Sequence, residues 1–113
     1  MQTKTFQVEG ADTALTVHLA TTFWQRFRGL MLRRPLPPAT ALLIAPCNSF
    51  MRFAIDAIYL DKQGKILKIT RYLRPWLSLS ACWHAHSVLE MTAGQADALG
   101  LNVGQVFQTT YAQ

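Results

Sequence analysis

FMRFAIDAIYLDKQGKILKITRYLRPW, residues 50–76, decides how this chain folds. Ala54 to Leu60 and Lys65 to Tyr72 are rich in β-branched and aromatic residues, the composition that suits a pleated, half-buried surface. Between them Asp61-Lys62-Gln63-Gly64 supplies turn chemistry, so the spacing predicts a β-hairpin. Period-two alternation puts Ala54, Asp56, Ile58 and Leu60 on one face of the first strand and Ile55, Ala57, Tyr59 and Asp61 on the other. Asp56 thus shares a face with aliphatic neighbours, where a carboxylate must either find hydrogen-bond donors or stay protonated, because burying it unpaired costs several kcal/mol.

Working outward, Thr3 to Glu9 and Ala14 to Ala20 alternate polar and apolar residues around Gly10-Ala11-Asp12-Thr13, which predicts a second hairpin with one solvated face. Thr21 or Thr22 offers an N-cap, and Phe23, Phe27, Leu30 and Met31 follow at helical spacing. The Pro35-Leu36-Pro37-Pro38 stretch then forces an extended connection. Thr40 to Ala45 reads as a strand covered on both faces, Ser78 to Ala85 as a loop and Ser87 to Thr92 as a strand. Gln95 to Leu99, closed by Gly100, reads as a helical turn, and Val103 to Thr109 closes the sheet. Five to seven short strands with one helix imply a mainly β fold: a compact β-sandwich or a partly closed barrel, with one short amphipathic helix and a helical turn.

The 113 residues make one domain, 1–113, half of it hydrophobic and 15% of it charged, which is a globular composition. Its longest apolar run, Ala39 to Pro46, falls far short of the roughly 20 residues a membrane span needs, and the N-terminus has no apolar signal segment. A cytoplasmic domain, monomeric or weakly dimeric and without a membrane role, is the expectation. Two cysteines, Cys47 and Cys82, are too few for a secreted disulfide framework. Eleven Lys and Arg against six Asp and Glu leave a net charge of +5, with Arg26, Arg28, Arg33 and Arg34 clustered. That excess attracts anions at long range. No nucleic-acid motif accompanies it, so nucleic-acid binding is not expected beyond weak phosphate neutralisation.

Five ordered stretches carry a resemblance. They are Arg28-Gly29-Leu30-Met31 with Arg33, then Met51-Arg52-Phe53-Ala54-Ile55-Asp56, Arg74-Pro75-Trp76, Val88-Leu89-Glu90, and Leu99-Gly100-Leu101-Asn102-Val103-Gly104. In this order and over about Thr21 to Phe107 the chain resembles the domain of unknown function 192 family, small bacterial and archaeal proteins of unestablished activity. The resemblance implies a predominantly β, jelly-roll-like domain. One departure is visible: relatives often carry a His-Thr pair just upstream of Met-Arg-Phe-Pro-Ile-Asp. Here Pro46-Cys47-Asn48-Ser49-Phe50-Met51 has no histidine, and Ala54 stands in the proline position.

Three constellations are candidates for chemistry. Asp56 with Glu90 would make a carboxylate pair for acid and base work, the hydrolase-like alternative; the competing reading has Asp56 accepting hydrogen bonds from backbone or from an arginine such as Arg28 or Arg52 and locking the fold. Cys82-Trp83-His84-Ala85-His86 would point a thiol and two imidazoles to one face of an extended segment, with Cys47 to close a metal site. That spacing matches no common zinc signature, so no metal and no cofactor is expected. The third candidate is a groove lined by Arg28, Met51, Arg52, Asp56, Arg74 and Trp76. Strand pairing alone should bring Met51, Arg52, Arg74 and Trp76 to the open end of the hairpin, whereas Arg28 is placed there by the resemblance. Guanidinium groups beside a rigid tryptophan suit a small anionic ligand or a protein partner.

Overall fold

The computed structural model describes residues 3–19, 37–44, 54–73 and 85–111. Seven strands form one sheet: β1 (Thr3–Val8), β2 (Ala14–Leu19), β3 (Thr40–Ile44), β4 (Ile55–Leu60), β5 (Ile66–Leu73), β6 (Ser87–Thr92) and β7 (Phe107–Tyr111). A single helical turn, α1 (Gln95–Ala98), lies between β6 and β7. The strand order is β5-β4-β6-β3-β2-β1-β7, antiparallel throughout except for the β2–β3 pair.

Both hairpins form where turn chemistry interrupts alternating strands. In the 54–73 hairpin, Asp61 Oδ1 accepts from the Gln63 and Lys65 N–H groups, each at 2.9 Å, and Gly64 takes φ 83°. The two ends of the sheet come back together at this turn. Lys65 bridges Val106, Ile66 N donates to Gln105 O at 2.8 Å, and Phe107 N donates to Gly64 O at 3.0 Å. Of the two expected architectures, the partly closed barrel is therefore the one the chain adopts.

Inside the curl sits the main core, built by alternate residues of the strands: Phe6, Val8, Leu15, Val17, Ala41, Ile58, Leu60, Ile66, Leu89, Met91 and Phe107, with Ala96 and Leu101 from the α1 region. Each fully buried Leu or Ile contributes roughly 1.5–3 kcal/mol relative to exposure. Ala57, Tyr59 and Val88 pack a smaller cluster on the other face, so β4 is buried along its whole length on both sides. The first hairpin instead buries one face only, as its alternation predicts. The amphipathic helix expected after Thr21 lies outside the described residues, as does most of the Ser78 to Ala85 loop.

Candidate functional site

Asp56 is the centre of a buried hydrogen-bond network. Its side chain is completely buried. Oδ1 accepts the Tyr72 N–H at 3.0 Å, and Oδ2 accepts the N–H groups of Gly94 at 3.0 Å and Ala96 at 2.8 Å. One carboxylate thus ties three elements: its own strand, the end of β5 and the start of α1.

A bulge makes the first of these bonds reachable. Ile55 pairs with Leu73 but Ala57 pairs with Thr70, so Arg71 and Tyr72 together oppose Asp56. Tyr72 takes φ 54°, the left-handed region that bulky residues avoid, and is 59% exposed. Beside it Gly94 takes φ 94° at the cap of α1, and a Cβ there would lie 3.2 Å from the Tyr72 hydroxyl. Arg71 Nε donates to Asp97 Oδ1 at 2.8 Å in an exposed ion pair that joins β5 to α1.

These facts correct two expectations. Asp56 and Glu90 do not form a pair: Asp56 is opposite Met91 whereas Glu90 is opposite Ala57, so the two buried acids leave opposite faces of the sheet. Asp56 also cannot touch a ligand from within the barrel, since it has no exposed surface and both its oxygens are engaged by backbone. It supports the open end of the hairpin from beneath. The reading in which it accepts backbone hydrogen bonds is the one the geometry shows.

Arg28, Met51, Arg52, Arg74 and Trp76 lie outside the described residues. So do Cys47, Cys82 and His84, which leaves His86 as the described member of the Cys82-x-His84-x-His86 constellation; no group of three potential metal ligands occurs among the described residues. Tyr72 and Gly94 escaped the sequence reading. For Gly94 a signal existed, a glycine immediately before a helical turn, but nothing in Ile69-Thr70-Arg71-Tyr72 marks the tyrosine for a positive φ.

Comparison with other proteins places this geometry. The domain of unknown function 192 profile, described as Uncharacterized ACR, matches residues 4–109. The chain belongs to this family. Within the family it is 32% identical over 103 residues to a UPF0127 protein of Pyrococcus furiosus, covering 85% of this chain and 88% of that one. It is 33% identical over 96 residues to a UPF0127 protein of Thermococcus sibiricus, where the match spans 78% of this chain and 62% of the relative. Two crystal structures share the family fold. One, from Sinorhizobium meliloti 1021 and described as a candidate transcription regulator, has a TM-score of 0.68 at 23% identity over 96% of this chain and 92% of that one. The other, a protein of unknown function from Novosphingobium aromaticivorans, has a TM-score of 0.69 at 22% identity over 94% and 83%. At these identities the likeness speaks for the fold alone. No helix among the described residues is long and apolar enough to cross a membrane.

Proposed function

We propose that this domain is a binding module whose site lies at the open end of the β4–β5 hairpin and takes a small anionic molecule. The observation that supports this reading is Tyr72. Holding a tyrosine in the left-handed region costs about 1–3 kcal/mol and persists only where the surroundings over-determine it. Here the Asp56 bond to its N–H and the crossing of Gly94 do so, and the ring they hold is exposed rather than packed into the core. Strain spent on presenting an aromatic surface fits recognition. In the sequence Arg52 precedes Ile55 by three residues and Arg74 directly follows Leu73, and Ile55–Leu73 is the terminal pair of the hairpin. Their charge favours a carboxylate or phosphate.

An acid–base enzyme centred on Asp56 is the weaker reading, because its carboxylate is enclosed and Glu90 is on the other face. Nucleic-acid binding rests on the net charge of +5 and on the description of the S. meliloti relative. Two cysteines and a self-sufficient core suit a cytoplasmic setting. Native mass spectrometry of the untagged protein, before and after Tyr72→Gly, tests the proposal. A small anion retained by the parent and lost in the folded variant is the expected result; a co-purifying polypeptide would replace the small molecule by a protein partner, and no bound species at all would count against the site.

A further inference from the structure

At the opposite end of the barrel from Asp56, where β4 ends and β6 begins, the interior opens into a cavity of about 230 Å3. Its walls come from interior-facing positions. Leu60 is opposite Ser87, Phe6 opposite Thr109 and Leu43 opposite Leu89, so these side chains share the concave face. Phe6 and Phe107 form an aromatic floor, their ring centroids 5.8 Å apart and their planes tilted by 43°. Leu43 and Leu60 complete the apolar lining.

Polar groups complete the lining. Ser87 is only 6% exposed, shares the concave face with Leu60 and lines the cavity. A hydroxyl on the wall of such a cavity can donate to and accept from an occupant. His86, Thr109, Gln63 and Lys62 line the cavity as well. Asp61 also lines the mouth, but its Oδ1 accepts two N–H groups of its own turn, and that turn is tied to β7 through the Phe107–Gly64 bond. Lys62 is therefore carried on a rigid turn as the cation of the lining.

An engineered apolar cavity of roughly 150 Å3 accepts benzene. At about 230 Å3 this one has room for a ring and a short arm. We propose that the barrel mouth binds a small monocarboxylate with an apolar, ring-sized body: the body against Phe6, Leu43, Leu60 and Phe107, the carboxylate toward Lys62 and the Ser87 hydroxyl. This site is separate from the one at the open end of the hairpin and does not depend on it.

Saturation-transfer NMR on the full chain tests it, with phenylacetate as probe and 2-phenylethanol as its neutral counterpart. Phenylacetate should bind, the alcohol should bind about tenfold more weakly, and Lys62→Met should remove that preference. Ser87→Val, which removes the hydroxyl, and Leu43→Trp, which fills much of the cavity, should abolish transfer while the circular dichroism stays native; if Leu43→Trp does not fold, Thr109→Leu takes its place. Tyr72→Gly should leave phenylacetate binding unchanged. Absence of transfer at about 10 mM probe, equal binding of acid and alcohol, binding that survives Ser87→Val, or loss of binding in Tyr72→Gly would each overturn the proposal.

Discussion

Asp56 has to recover its whole desolvation cost inside the protein, and three backbone N–H donors within 3.0 Å do this without any arginine. Asparagine is the informative replacement. Its amide offers one acceptor oxygen, and its NH2 group would face backbone donors, so Asp56→Asn leaves at least one N–H unsatisfied and creates a donor–donor contact. The expected loss is about 3 kcal/mol, or roughly 10 °C in Tm for a chain of this length, read by thermal and urea unfolding. A variant as stable as the parent but inactive in cells would instead return Asp56 to a catalytic role. Tyr72→Gly is expected to behave differently. Relief of the positive φ offsets the greater freedom of the unfolded chain, so stability should stay within about 1 kcal/mol of the parent. The two substitutions thus separate support of the site from its surface.

At the scale of elements, closure of the sheet depends on one turn. A Cβ at Gly64 would sit 3.0 Å from the Phe107 carbonyl oxygen, and φ 83° disfavours any side chain there. Gly64→Ala should cost about 2 kcal/mol by urea unfolding and should speed hydrogen exchange of the Ile66 and Phe107 amides, which carry the β5–β7 closure. Unchanged protection at both amides would show that the barrel stays closed by other means. The first hairpin carries a pH dependence. Burial pushes the His18 imidazole of β2 below its ordinary pKa, so the unfolded chain binds its proton more readily than the folded one. Stability from this group is then complete above the ordinary value and is lost as pH falls through about 6.5 toward the lower folded value. Tm should rise between about pH 5 and 7, and His18→Gln should flatten that part of the profile.

For the whole molecule, the curl of one sheet creates two unlike ends: one sealed by α1 and the Asp56 network, the other opening into the apolar mouth beside the Asp61–Gly64 turn. If nucleic acid binds at all, the affinity should fall steeply with salt, since phosphate neutralisation would supply it, and tight binding above physiological salt would contradict this. Much of the fold was legible in the chain because it is written in local terms. Alternation at Phe6, Val8, Leu15 and Val17 marks one buried face, the unbroken apolar run at Thr40–Ile44 marks a central strand, and Asp61 to Gly64 marks a turn, each from neighbours within a few residues. Even the burial of Asp56 follows from its place between Ile55 and Ile58. Its partners do not. They come from 16, 38 and 40 residues away, and only the register of β4 against β5 and β6 brings Tyr72, Gly94 and Ala96 to one carboxylate while sending Glu90 to the other face. Periodicity determined which residues lie inside; which of them meet was decided by strand order and by a single bulge, because hydrogen-bond pairing between distant strands leaves no trace in the local pattern of side chains.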